Sequence, residues 1–314
     1  MAATRRQFIH AGALTTMAFV WRDRLAGQQQ RRYGDGPFAV KLGSVSGGWL
    51  DNFEGGGVRA DPASTAFSHE KDSSLGVVTF DDLVLSCGLR VSEAFNEFLR
   101  SSFASNSGNP IDVTIADSGR RLGNRVQAHV FIGAVLSKIA FPRVDASSKD
   151  LVRLVATFRV SAAEEREEDP ALWPELPSQN PPPWRASEFR LSIAGIDCGG
   201  VRLIEVLSAS RAVVGNQVGQ QRQYSTTVTP WSSASLGFVI PGTDAAAFEA
   251  WYRETLSGAA ALKDGLVEYG PVGHPHHRVR LQGLRAISVR QEPGRGEAAA
   301  GVRVQALASG VSLE

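Results

Sequence analysis

Two stretches 151 positions apart (189 − 38) carry the same short pattern, and that repetition limits the folds open to this chain. Phe38-Ala-Val-Lys-Leu42 is matched by Phe189-Arg-Leu-Ser-Ile193, Gly48 by Gly199 and Glu54 by Glu205, all in one frame. A hydrophobic rhythm, a glycine and an acid kept in register indicate an internal repeat, with a period too long for a solenoid. Val152-Arg-Leu-Val-Ala156 is echoed by Val302-Arg-Val-Gln-Ala306, and Gly133 by Gly283, at an offset of 150 (302 − 152).

The repeated units read as β-structure with one helix each. Val152, Leu154, Ala156, Phe158 and Val160 alternate with more polar neighbours, the period of a half-buried strand. Pro142 ends the strand before it, and Asp145-Ala-Ser-Ser-Lys-Asp150 supplies a turn. Val45 to Gly48 reads as a turn with Trp49 to Glu54 returning, echoed by Ile196 to Gly199 and Val201 to Glu205. Leu83 and Leu85 alternate as Leu236, Phe238 and Ile240 do. Phe95, Phe98, Leu99 and Phe103 share one helical face, with Ser92 as cap. Phe248, Trp251, Tyr252 and Leu256 share another, with Thr243 or Asp244 as cap and Gly258 as stop. Ile111 to Ile115 and Val126 to Ile132 then form strands, as do Leu266 to Tyr269 and Val279 to Leu281. Each unit predicts six or seven strands and a helix in an antiparallel barrel or sandwich.

The predicted organisation is an N-terminal arm over residues 1–35, one domain over 36–163, a proline-rich linker over 164–187 and a second domain over 188–314. In the arm, Thr4-Arg5-Arg6-Gln7-Phe8-Ile9 resembles a twin-arginine export signal, and the apolar run to Trp21 is too short for a membrane span. The sequence leaves two locations open: cytoplasmic assembly, or export to the periplasm or the cell exterior. The linker joins Glu164-Glu-Arg-Glu-Glu-Asp169 to Pro181-Pro-Pro183 and reads as an extended tether or a docking motif.

Nothing in the composition points to catalysis or nucleic acid. Lysine plus arginine number 33 against 32 acids, so no basic excess exists to bind phosphates. The two cysteines, Cys87 and Cys198, suggest buried small apolar groups rather than a disulfide framework. His274, His276 and His277 are the one histidine cluster and the only candidate metal ligands, but no acid or cysteine accompanies them and Pro275 favours a solvated turn. His69 and His129 have no nucleophile motif nearby. Gly55-Gly-Gly57 lacks the lysine and hydroxyl of a phosphate loop. Asp51 and Glu54 could form a carboxylate pair, but repetition of the acid at Glu205 favours structural hydrogen bonding. No cofactor, catalytic residue or small-molecule substrate is expected.

Several phrases resemble one family. Ala140-Phe-Pro142, Asp145-Ala-Ser-Ser-Lys-Asp150 and Ala156-Thr-Phe158 are similar to the C-terminal hairpin of the T4-type phage tail tube proteins. In the same order stand Gly48-Trp-Leu50 with Phe53-Glu-Gly-Gly56, Val78 to Gly88, and the Phe95-x-x-Phe98-Leu99 helix. The resemblance implies a small β-barrel with a flanking helix, six of which close a ring around a channel, with rings stacking through a long loop. That loop would be Val58–Ser74 in the first unit and Ser208–Ser233 in the second. The implied protein is a structural subunit of a phage tail or contractile injection system that partners itself, and sheath or baseplate proteins beyond that. Two domains per chain make three chains per ring the natural count, since a tether of 24 residues (187 − 164 + 1) can span ~70 Å at roughly 3.1 Å per residue. The alternative is an exported two-domain binding or adaptor protein, or a filament subunit, without catalysis.

Overall fold

The computed structural model describes residues 37–62, 75–104, 108–122, 125–173, 184–218, 223–258, 262–292 and 301–314. The export-like stretch, most of the first stacking loop and residues 174–183 of the proline-rich segment lie outside these residues. Among the described residues the fold is mainly β, with two α-helices and antiparallel sheets, one nearly closed into a barrel.

Along the first half run β1 (Phe38–Leu42), β2 (Val45–Leu50), β3 (Asn52–Glu54), β4 (Val58–Pro62), β5 (Leu75–Phe80), β6 (Leu83–Cys87), helix α1 (Glu93–Ala104), β7 (Ile111–Leu122), β8 (Arg125–Phe141), β9 (Val144–Asp145), β10 (Leu154–Arg159) and β11 (Ala162–Glu168). The second half contains β12 (Phe189–Ile193), β13 (Leu203–Ile204), β14 (Leu207–Ser210), β15 (Val213–Val218), β16 (Gln223–Val228), β17 (Ala234–Pro241), helix α2 (Ala245–Leu256), β18 (Lys263–Tyr269), β19 (His277–Glu292), β20 (Gly301–Ala308) and β21 (Gly310–Leu313).

The pairings of the first half recur in the second. The sheet order β1-β7-β8-β10-β6-β3, with β11 on β8, is answered by β12-β18-β19-β20-β17-β13, with β21 on β19. Apolar alternation explains which face each strand buries: Leu83, Leu85 and Cys87 on β6 face inward, as do Leu154, Ala156 and Phe158 on β10. Gly133 and Gly283 take left-handed φ values of 61° and 59° at bulges in β8 and β19. Each donates its N–H to a carboxylate, Asp112 at 2.9 Å and Asp264 at 3.0 Å. The sequence offset of 151 between β1 and β12 survives in the ladders. That between β10 and β20 does not: Leu154 pairs with Cys87 and Val302 with Ile240, so Val302 stands where Leu154 does, 148 positions on (302 − 154). A two-residue slip keeps every side chain on its own face, which is why pattern alone did not detect it.

Other local expectations also shift. The first hairpin turns at Gly43-Ser44, and Gly48 lies inside β2, where a Cβ would come within 2.5 Å of the Arg90 carbonyl. Ser92 does cap α1, accepting from the Phe95 N–H at 3.2 Å. Asp244 stands at the N-cap of α2, as expected, but its side chain makes no capping bond and instead accepts from the Thr243 hydroxyl at 2.9 Å. Glu164–Glu168, read as the start of the linker, forms strand β11 on β8. Its acids are engaged locally: Lys41 Nζ lies 3.0 Å from Glu168, and Gln127 donates to Glu165 at 3.1 Å. Ser208–Ser233, read as a loop, contains most of β14 together with the β15–β16 hairpin. The core is one continuous apolar cluster running through both halves.

Candidate functional site

The joint between the two halves gathers most of the unusual side chains. Here β14 lies antiparallel along the end of β8, Leu207 opposite Phe141 and Ser210 opposite Lys138. Next to it, β13 pairs with β9, Ile204 opposite Val144. The contact is therefore made by backbone pairing, and it covers a strand edge that would otherwise be exposed.

Arg211 follows β14 and is 7% exposed. Its Nε donates to the Leu136 carbonyl at 2.8 Å, its backbone N–H to the Ser137 carbonyl at 2.8 Å, and Nη1 to the Ser102 carbonyl at 3.5 Å. Burial lowers the guanidinium pKa from its ordinary value without discharging it. The Ser102 carbonyl also accepts from Trp231 Nε1 at 3.1 Å. Helix α1 has no basic residue in its last turn, so residues from the other half satisfy its C-terminal carbonyl and meet its negative end. Trp231 stacks on Phe103, centroids 4.4 Å apart and planes 11° apart, with Arg211 over its other face at 4.7 Å.

A second seam closes the joint on its far side. The Trp184 carbonyl accepts from Val152 N–H at 3.0 Å, and Ala186 exchanges backbone bonds with Asp150 and Asp145. This lacing orients the Trp184 ring into the second half, against Tyr269 and His277 at centroid distances of 6.2 and 5.3 Å. Phe141 of β8 stacks on Tyr269 at 5.2 Å. Tyr269 Oη and Trp184 Nε1 are buried without a hydrogen-bond partner among the described residues. Burial pushes the Tyr269 phenol pKa far up.

The three clustered histidines part company. His274 is exposed in the turn between β18 and β19, and His276 is half-buried beside Trp184. His277 opens β19 and is buried, a correction to the solvated turn expected for it. Burial above all, then His276 and Arg100, lowers its pKa to about 4, against a smaller opposing pull from Glu93. Burial likewise lowers His276, with Glu188 opposing. Among the described residues, no three histidines, cysteines or acids sit together as metal ligands. Glu54 and Glu205 occupy matching strand ends, and Glu205 pairs with Arg303 at 3.0 Å. Asp51 is engaged by Arg153 at 2.6 Å.

A cleft of about 390 Å³ lies along the outer edge of β12, lined by Leu191, Ile193, Ile196 and Cys198. It marks where the halves differ. β2 covers β1, but residues 196–201 turn away: Asp197 accepts from Gly199 N–H at 2.9 Å and Cys198 from Val201 N–H at 3.1 Å. Sequence reading missed Arg211, Trp231 and Tyr269 as joint residues; a buried arginine looks like any surface arginine until its partners are placed. No protein-family model matches the chain, and no curated protein matches it. Among the described residues no helix is long and apolar enough to cross a membrane.

Proposed function

We propose that the chain is a structural subunit, a tandem pair of tail-tube-like barrels that self-assembles into pseudo-hexameric rings of three chains, stacked as the conduit of a phage tail or contractile injection system. One observation carries the reading. Two sheets of the same strand order are joined edge to edge by β14 on β8 and β13 on β9, a kind of contact that further copies can extend. The sequence resemblance supplies the particular assembly. The buried aromatic and histidine groups of the joint fit a role in holding two barrels at a fixed angle.

Light scattering on the eluting protein, with electron microscopy of the peak, tests the reading. Three chains of 33.6 kDa predict a particle of about 100 kDa with six lobes of two alternating kinds. A chain that stays monomeric at every concentration overturns it. Six identical inner lobes with outer knobs would keep a ring but require six chains.

A further inference from the structure

The covered edge of β8 has an open counterpart on β19. Beyond the pairing of Lys263 with Leu284, β19 continues to Glu292 with β20 on one side. Among the described residues no strand pairs with its other edge from Arg285 to Glu292, the edge that β14 covers on β8. Helix α2 repeats this difference. Phe103 of α1 is buried under Trp231, whereas Leu256, which closes α2 as Phe103 nears the end of α1, is 68% exposed. Ile287, at a second bulge of β19 between Ala286 and Ser288, is 45% exposed, and Leu262, beside Gly283, is 52% exposed. The places in the first half that the second half covers are thus uncovered in the second half itself.

A long strand edge with apolar side chains is a template for another chain unless it is guarded. β11 ends its sheet with Glu164, Glu165, Arg166, Glu167 and Glu168, a row of charges that discourages addition. The open edge of β19 carries Ile287 and two exposed arginines, Arg285 and Arg290, for which no acidic partner is found among the described residues.

We infer that the open edge of β19, with Leu256 and Leu262 beside it, receives a second copy of this chain, which enters with the end of its first half bearing Glu54, Asp81 and Asp82. The inference rests on the self-assembly reading above and names the surface. The occupant follows from correspondence and charge. Glu54 stands where Glu205 does, immediately before the segment that covers β8. Its neighbours across the hairpin base are Asp81, whose N–H donates to the Gly57 carbonyl at 2.8 Å, and Asp82. An acidic end thus faces a basic edge, an arrangement that selects a head-to-tail contact. β14 itself has no counterpart, because only Gly55-Gly-Gly57 separates Glu54 from Val58, where Val206–Ala212 separates Glu205 from Val213. The contact between copies therefore has fewer backbone pairs than the internal joint, and it forms and dissociates with concentration.

Sedimentation velocity of the full chain over a concentration series tests this. Arg285→Glu with Arg290→Glu should weaken association roughly tenfold or more, as should Glu54→Arg with Asp82→Arg. The exposed Asp82–Arg159 pair lost in the second variant contributes little to folding. All four changes together should restore association to within about threefold of the unaltered chain, and the unfolding midpoint should be the same throughout. If the arginine reversals assemble like the unaltered chain, this edge is not the interface, although self-assembly stands. If each pair weakens association and the combination does not rescue it, the acidic end is not the donor. If the unaltered chain never associates, the self-assembly reading falls first.

Discussion

Arg211 donates to the carbonyl of Leu136 at 2.8 Å, across 75 residues of sequence, and so fixes the second half against the bulged end of β8. Its fork extends to the last turn of α1, and Trp231 lies flat between the guanidinium and Phe103.

Removing that fork should loosen the joint. Arg211→Met retains length and apolar stem but leaves the Leu136 carbonyl unsatisfied, at an expected cost of about 2–3 kcal/mol. Arg211→Lys should recover less than half, because an ammonium cannot reproduce the planar fork. Urea unfolding monitored by tryptophan fluorescence measures both; a loss below about 0.5 kcal/mol for the methionine variant would count against the role.

His277 should make the protein acid-sensitive. Its folded pKa, about 4, lies below the ordinary 6.5, so the unfolded chain binds the proton more readily. The stability it contributes is complete above the unfolded value and is lost as pH falls through the folded one. The full difference is on the order of 3 kcal/mol. Carboxylates add their own acid dependence, so the comparison is with His277→Phe. The unaltered chain should lose more stability between pH 7.5 and 4.5 than the variant, and equal losses would refute the assignment.

The two bulge glycines should respond unequally to alanine. Both have left-handed φ, which costs an L-residue roughly 1–2 kcal/mol. A Cβ on Gly133 would come 3.0 Å from Ser161 Oγ, whereas one on Gly283 would come 2.4 Å from Ser309 Oγ. Gly283→Ala should therefore cost more, and Ser309→Ala should relieve part of the excess. A double-mutant cycle showing strict additivity would contradict the clash.

The thiols should be inert in the folded protein. Burial, with Asp51 adding to it, pushes the Cys87 pKa far above its usual range, and burial pushes Cys198 up to about 11. Little thiolate forms at pH 8, so a disulfide reagent should label neither within minutes. Cys198, at the β12 cleft, should react before Cys87, and both should react at once in guanidinium. Prompt labelling of Cys87 in the native state would falsify this packing.

Much of each half was legible in the sequence. Alternation on β6, β10 and β20 set which residues face inward, because a strand's period is independent of its partners. Helix positions followed from the spacing of Phe95, Leu99 and Phe103, and of Phe248 and Trp251. The likeness of β1 and β12 was visible because their offset of 151 is kept in the ladders. Tertiary structure alone decided the rest. Ladder register fixed the offset of β20, since a two-residue slip leaves the hydrophobic pattern unchanged. Packing sent His277 inward at the start of β19 while His274, three positions earlier in the turn, remained in solvent. Pairing made β11 from a charge run that local composition assigns to solvent. The joint was illegible because Leu136, Ser102, Arg211 and Trp231 are distant in sequence and meet only once β14 has found the edge of β8.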